Sequence, residues 1–194
     1  FPQQCKMALE IANQTEFFFT ERNFNKIIFA GMGGSAIGGD LIRTYLYDNL
    51  DLPVIVFREY DLPAFIDKGS LVFISSYSGN TEESLACYKQ AKEKNATLIA
   101  ISSGGKLKEL CLKDKNTFIQ LPPGFPPRCA LGYLSLIPLR VLERIGIIKI
   151  SKELEYTEMI SILNGLKDKY SSLHIADKQN PAKYLALKIF NKIP

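Results

Sequence analysis

Five short apolar segments, separated by segments of helical length, constrain the fold of this chain more than any other feature. Each is nearly continuous in apolar character instead of alternating, which is typical of strands that are covered on both faces. The predicted strands are residues 26–32, 53–58, 70–76, 96–102 and 117–121. Between most of them the apolar residues recur at helical spacing, and helices are predicted over 35–49, 81–95 and 105–113. Strand–helix–strand alternation produces parallel strands joined by right-handed crossovers, so the sequence predicts an α/β fold: a three-layer sandwich around a five-stranded parallel sheet.

Helices are also predicted at both ends of the chain. They are expected over residues 4–19, 130–145, 152–173 and 180–190. The last one begins at Asn180-Pro181, a cap residue followed by a first-turn proline. The final segment adds no strand, so residues 1–150 are interpreted as one domain and residues 151–194 as a connector helix and the beginning of a second, mostly absent domain. Because the first residue is Phe1 and not Met, we expect that the sequence begins inside a longer chain.

Composition excludes several classes of function. The chain has 194 residues, of which 24 are basic and 20 acidic, so its net charge is +4. Its basic residues are too interspersed with apolar and acidic ones to predict a nucleic-acid-binding surface. No apolar run approaches the ~18 residues of a membrane span. Four widely separated cysteines and a single histidine, His174, form no zinc pattern and indicate reduced thiols in a cytoplasmic protein. No metal and no cofactor is predicted.

The first candidate site is the glycine-rich segment GMGGSAIGGD at residues 31–40, between the first strand and the next helix. Glycines allow the backbone to approach a ligand closely, and free amides at a helix N-terminus attract an anion. Gly31, Gly33 and Ala36 also fit the dinucleotide fingerprint, but the nearest suitable acid, Glu59, lies 28 positions beyond Gly31 instead of the roughly 20 that such a site wants. A tight turn that only packs the helix on the strand is the simpler alternative.

The second candidate is the segment SSYSGNTEE at residues 75–83, at the end of the third predicted strand. Ser76, Ser78 and Thr81 place three hydroxyls beside the amides that open the next helix. Hydroxyls and amides without a lysine suit a monophosphate ester, whereas a triphosphate would need a P-loop. The two glutamates that follow are expected in the first helical turn, pointing away from the anion. Ordinary capping is the alternative for this segment. Both candidate segments follow strands and should meet at the carboxyl edge of the sheet, where open α/β sheets bind ligands.

The third candidate is Arg128, in the proline-rich segment PPGFPPRCA at residues 122–130. Four prolines exclude a central strand or a helix interior and predict a stiff loop. An arginine held in such a loop could stabilise a developing oxyanion with little reorganisation. A solvated loop arginine is the alternative.

Together these motifs resemble the sugar isomerase (SIS) domain superfamily and, within it, the bifunctional phosphoglucose/phosphomannose isomerases. The matching pieces are GMGGSAIGGD (31–40), SYSGNTEE (76–83), PPGFPPRCALGY (122–133) and NPAKYLALKI (180–189). The resemblance implies an enzyme of two SIS domains that works as a homodimer and interconverts glucose 6-phosphate or mannose 6-phosphate with fructose 6-phosphate without a metal. It also implies that Arg128 stabilises the enediolate intermediate. The residues that would hold the substrate phosphate are Gly33, Gly34, Ser35, Ser76, Ser78 and Thr81.

One departure from the family pattern affects the expected activity. The glutamate base and the histidine that assists ring opening lie, in that family, downstream of the segment where this sequence ends. His174 is expected to be a surface residue and not the base. The chain should therefore hold the phosphate cradle and Arg128 but be inactive alone. A non-catalytic module that senses a sugar phosphate would use the same cradle, and a dinucleotide-binding fold is the third alternative.

Overall fold

The central element of the computed structural model is a five-stranded sheet, and the structure describes residues 1–20, 23–149, 152–171, 175–176 and 179–192. The strands are β1 (Lys26–Gly31), β2 (Val54–Phe57), β3 (Ser70–Ser75), β4 (Thr97–Ser102) and β5 (Thr117–Gln120). They run parallel in the order β2-β1-β3-β4-β5. All five predicted strands are therefore confirmed, each with its ends shifted by no more than one residue at either end.

Helices cover both faces of the sheet, as the predicted three-layer architecture requires. They are α1 (Pro2–Gln14), α2 (Gly34–Tyr45), α3 (Glu82–Glu93), α4 (Gly105–Lys113), α5 (Leu131–Arg144), α6 (Glu153–Ser171) and α7 (Pro181–Ile189). Alternate side chains of β1 point to opposite faces, so Ile27 and Phe29 pack with α1, α2 and α5, and Ile28 and Ala30 pack with α3 and α4. Two separate apolar cores result, one on each side of the sheet.

The strand order creates a switch point between β1 and β3. From β1 the chain crosses to β2 on one side, and then returns to place β3 on the other side of β1. At such a point the loops that leave the two strands diverge, which opens a crevice at the carboxyl edge of the sheet. The two glycine- and serine-rich segments of the sequence leave β1 and β3 at this edge.

The N-terminal helix is shorter than predicted. Helix α1 ends at Gln14, and Thr15 is already extended, with φ −65° and ψ 128°. The prediction that the helix continues through Phe17-Phe18-Phe19 is wrong. Phe17 and Phe19 alternate toward the core, whereas Phe18 is exposed and its backbone N–H donates to the Thr117 hydroxyl at 3.0 Å. An extended segment explains three successive phenylalanines better than a helix, because period-2 alternation buries two of them on one side.

The C-terminal helices pack less completely than the rest. Tyr156 of α6 is buried and donates to Glu143 at 3.2 Å, but Leu166 and Tyr170 of the predicted apolar stripe remain more than a third exposed. Asn180 caps α7 as predicted, since its side chain accepts from two amides of the first turn. The end of the predicted helix over 152–173 and His174 lie outside the described residues. Among the helices that the structure describes, none has the length and apolar character needed to cross a bilayer.

Candidate active site at the sheet switch point

The glycine turn, residues 31–35, joins β1 to α2 and presents backbone to open space. Gly33 has φ +49°, a conformation that favours glycine, and no atom lies within 4 Å of where its Cβ would be. Gly31 is forced to be glycine for another reason, since a Cβ there would lie 2.7 Å from the carbonyl oxygen of Ser75. Ser35 is buried at the start of α2, a helix with no side-chain cap. The N–H of Ser35 already donates to the carbonyl oxygen of Met32 at 2.9 Å. The N–H groups of Gly33 and Gly34, which have no such partner among the described residues, are the ones that can receive an anion.

The serine turn, residues 76–81, joins β3 to α3 and is shaped by its own hydroxyls. Ser76 is almost fully buried; its Oγ lies 2.8 Å from Oγ1 of Thr81 and accepts the N–H of Gly79 at 3.1 Å. Ser78 is exposed, and its Oγ accepts the N–H of Asn80 at 3.2 Å. Because Thr81 pairs with Ser76, it gives α3 no side-chain cap, so the first amides of α3 are also available to a ligand.

The segment that follows β4, residues 103–106, packs against the serine turn and holds it by hydrogen bonds. Gly79 has φ +72°, and a Cβ there would lie 1.8 Å from the carbonyl oxygen of Gly104. Ser103 donates both its backbone N–H, at 2.9 Å, and its hydroxyl, at 2.6 Å, to the carbonyl oxygen of Tyr77. The side chain of Asn80 accepts the N–H of Lys106 at 3.0 Å. These contacts explain why the turn needs glycine in the middle of its hydroxyl residues.

The arginine loop, residues 122–130, ends in a single 3₁₀ turn, Pro127–Cys129. The hydroxyl of Tyr77 donates to the carbonyl oxygen of Pro122 at 2.7 Å and accepts the N–H of Phe125 at 2.9 Å. Arg128 is exposed, and its guanidinium forms no ion pair or hydrogen bond with the described residues. The stiff loop that the prolines predict is therefore tied to the serine turn through one tyrosine and leaves its arginine open to a ligand.

The three segments contact one another in a closed ring. Gly31 pairs with Ser75 in the β1–β3 register, which joins the glycine turn to the strand that carries the serine turn. A Cβ at Gly34 would lie 3.1 Å from the carbonyl oxygen of Pro127 and 3.2 Å from Cα of Arg128, so the glycine turn also touches the 3₁₀ turn. Tyr77 closes the ring between the serine turn and the arginine loop. The structure thus brings together the three segments that carry the seven residues singled out by the sequence, although those residues span almost 100 positions.

The acidic residues nearest the site are engaged elsewhere. Asp40 is ion-paired with Arg58 and, at 3.3 Å, with Arg43. Glu82 and Glu83 lie in the first turn of α3, where a negative charge complements the helix dipole. Tyr60 donates to Glu82 at 3.4 Å, and the negative charge of Glu83 is the main cause of a raised pKa for the Tyr60 hydroxyl. Asp40 and Glu82 are therefore bonded to residues of their own surroundings.

Two residues that shape the site were missed by reasoning from the sequence. Tyr77 lies inside the serine-rich motif, and its aromatic side chain between two serines was the available signal. Gln4 in α1 donates to the carbonyl oxygen of Cys129 at 2.9 Å and accepts the N–H of Gly132 at 2.7 Å. A lone glutamine on a helix offers no such signal, because its partners are 125 and 128 positions away.

Comparison with known proteins identifies relatives of this arrangement. A family model described as the SIS domain matches residues 22–118. A bifunctional phosphoglucose/phosphomannose isomerase of Caldicellulosiruptor bescii is 44% identical over 195 aligned residues, covering 100% of this chain and 56% of that protein. A D-glucosamine-6-phosphate 4-epimerase of Sulfolobus acidocaldarius is 32% identical over 172 residues, covering 87% of this chain and 50% of that protein.

A similarity of fold extends to more distant solved structures. The crystal structure of a glucosamine-6-phosphate deaminase from Thermotoga maritima superimposes with a TM-score of 0.61 at 18% identity, covering 86% of this chain and 52% of that one. At that identity the match concerns the fold alone. The chain spans about half the length of the curated relatives that it matches.

Proposed function

Since this chain belongs to the SIS domain family, we propose that it forms the phosphate-binding half of an isomerase that interconverts glucose 6-phosphate or mannose 6-phosphate with fructose 6-phosphate. The observation that carries the proposal is the closed ring of contacts among the glycine turn, the serine turn and the arginine loop. It leaves two helix N-termini without a side-chain cap at a single edge of the sheet, together with Arg128, which pairs with none of the described residues.

The proposed phosphate site uses neutral donors. Backbone amides of Gly33 and Gly34 and the hydroxyl of Ser35 would approach the phosphate from the start of α2, and the hydroxyls of Ser78 and Thr81 would approach it from the start of α3. Ser76, being buried and bonded within its turn, would act mainly by holding the Thr81 hydroxyl and the backbone of Gly79 in place. A dianionic monoester suits this set of donors, because two helix N-termini supply partial positive charge without a lysine.

Arg128 would act on the other end of the sugar. Isomerisation removes a proton from C2 of the open-chain aldose, and the bonding electrons form a C1–C2 double bond while O1 gains negative charge. A guanidinium that is already positioned and unpaired can stabilise this enediolate without reorganising. The hydroxyl proton then passes from O2 to O1, and C1 is reprotonated as the C2 carbonyl forms, which yields the ketose without an external oxidant or reductant.

The base is proposed to lie outside this chain. A base must reach both carbons. Asp40 and Glu82, two carboxylates near the site, are paired with other side chains of this chain instead. In relatives about twice as long, a second SIS domain would supply the glutamate and the histidine, and residues 151–194 would connect to it. The homodimer remains a prediction.

The epimerase relative indicates which part of the proposed function this chain provides: binding of the substrate or the type of reaction. Two relatives that align with most of this chain are named for different reactions on phosphorylated sugars, an isomerisation and a 4-epimerisation. The sequence that they share with this chain is therefore better explained by a common phosphate-binding site than by a common catalytic base. This favours the proposal that this chain binds the phosphate and that residues outside it determine the type of reaction. A sensing module would bind the same ligands without turnover.

Titration calorimetry with fructose 6-phosphate tests the proposal. We expect saturable binding that inorganic phosphate displaces, and negligible turnover by this chain alone. In a longer protein that includes the second half, Arg128→Ala should lose about 2–4 kcal/mol of transition-state stabilisation, while Arg43→Ala, a surface arginine of α2, should not. Near-normal turnover by the 194-residue chain would refute the division of the site, and an unchanged rate for Arg128→Ala would remove that residue from the mechanism.

A further inference from the structure

We propose that Gln4 is a positioning residue for Arg128, which it fixes without contacting the ligand. The inference rests on the function proposed above for Arg128. The side chain of Gln4 is only 7% exposed, and both ends of its amide are used. The Nε2 group donates to the carbonyl oxygen of Cys129 at 2.9 Å, and Oε1 accepts the N–H of Gly132 at 2.7 Å.

The two partners of Gln4 stand on either side of the joint between the 3₁₀ turn and α5. Cys129 is the last residue of the 3₁₀ turn and the direct neighbour of Arg128, and Gly132 lies in the first turn of α5. A Cβ at Gly132 would lie 2.7 Å from Oε1 of Gln4, so the close approach requires glycine at this position. One side-chain amide therefore bridges the end of the 3₁₀ turn and the first turn of α5.

Gln4 is itself held by a well-anchored helix. Cys5, Ala8 and Ala12 of α1 are buried in the core. At the other end of the helix, the Arg144 guanidinium of α5 donates to the carbonyl oxygens of Ala12 and Thr15. Because α1 and α5 are joined at both ends, α1 cannot slide along α5 and carry Gln4 away from its partners.

The 3₁₀ turn is confined between Gln4 and the glycine turn. Backbone atoms of Pro127 and Arg128 pack against Gly34, as described above, and Gln4 supports the end of the same turn through Cys129. Loss of the Gln4 bonds would release one side of the turn while the glycine turn keeps its place. The phosphate cradle should then persist while the guanidinium shifts, and a displacement of about 1 Å can reduce catalysis roughly a hundredfold.

The experiment compares two ligands that differ at the atoms Arg128 should contact. One is a five-carbon aldonic acid 5-phosphate, whose carboxylate imitates the enediolate, and the other is the corresponding alditol 5-phosphate, which lacks that charge. The variants are Gln4→Met, of similar length but without hydrogen-bonding groups, and Gln4→Glu, which keeps the acceptor for Gly132 and loses the donor to Cys129. Gln90→Met is the matched control, because Gln90 bridges the carbonyl oxygen of Tyr60 and the N–H of Leu62 in the same way on the other face of the sheet.

We expect both Gln4 variants to weaken aldonate binding roughly tenfold or more with little change for the alditol phosphate, and Gln90→Met to change neither. Wild-type preference for the aldonate in a Gln4 variant would overturn the proposal, as would an equal loss of both ligands. If Gln4→Met does not fold in a thermal melt, Gln4→Glu gives the same comparison. If wild type and Arg128→Ala bind the two ligands alike, then the role of Arg128 is itself wrong and the inference about Gln4 fails with it.

Discussion

The serine turn offers a sharp test, because two of its serines should have separable roles. Ser76 is 1% exposed and bonded inside the turn, whereas Ser78 is exposed at its tip. We expect Ser76→Ala to lower the stability of the fold, and Ser78→Ala to lower the affinity for phosphate esters at unchanged stability. The control is Ser171→Ala, an exposed serine at the end of α6 whose hydroxyl donates within its own helix.

The magnitude for Ser76 follows from its partners. Removing Oγ takes one bond from Thr81 at 2.8 Å, but the N–H of Gly79 keeps a second acceptor, the carbonyl oxygen of Ser76, at 3.0 Å. The net loss is thus close to one buried hydrogen bond, or about 1–2 kcal/mol. For a chain of this size that corresponds to a melting temperature lower by about 2–8 °C.

The magnitude for Ser78 follows from its exposure. Substitution of an exposed residue usually changes stability by less than about 0.5 kcal/mol. A hydrogen bond to a charged phosphate contributes about 1.5–3 kcal/mol, so Ser78→Ala should weaken binding of fructose 6-phosphate roughly ten- to hundredfold.

Thermal denaturation measures the first effect and titration calorimetry the second. The reasoning is refuted if Ser78→Ala destabilises the protein more than Ser76→Ala does, or if it binds the ester as tightly as wild type and Ser171→Ala.

Two further predictions concern cysteine reactivity and acid stability. Cys129 is the exposed cysteine beside Arg128, and the other three are buried, where burial raises the pKa of Cys87 to about 11 and that of Cys111 to about 12. Iodoacetamide should therefore label Cys129 before the other cysteines, and bound fructose 6-phosphate should slow this labelling. Intact-mass spectrometry would measure both effects, and equal labelling of all four thiols in the folded protein would contradict the prediction. Burial acts to raise the pKa of the Glu143 carboxyl, but its ion pair with Arg140 and the hydrogen bond that it accepts from the backbone N–H of Lys152 outweigh this effect and hold the pKa below the ordinary value of 4.5. The stability that this carboxylate contributes is fully present above pH 4.5 and is lost as the pH falls through the lower pKa of the folded state. Glu143→Gln should therefore reduce the dependence of the unfolding free energy on pH at acidic pH. An unchanged dependence on pH would contradict this role of Glu143.

Most of the architecture follows from local patterns. Continuous apolar runs bounded by turns located all five strands within one residue at either end, because such runs are stable only when both faces are covered. Helix boundaries were less accurate, and α2 ends at Tyr45 instead of residue 49, since fraying ends carry little periodic signal. The N-terminal helix was extended too far because three phenylalanines fit either a helix or a strand until their partners are known.

The sequence alone therefore determined the parallel sheet, the two turns proposed to bind the phosphate and the edge at which they lie, since glycine turns, hydroxyl clusters and apolar spacing act over a few residues. Only the tertiary structure decided how the arginine loop joins them. Its supports, Tyr77 and Gln4, reach partners that lie between 45 and 128 positions away in sequence. A hydrogen bond over such a distance depends on where the whole chain packs, and no local pattern encodes it.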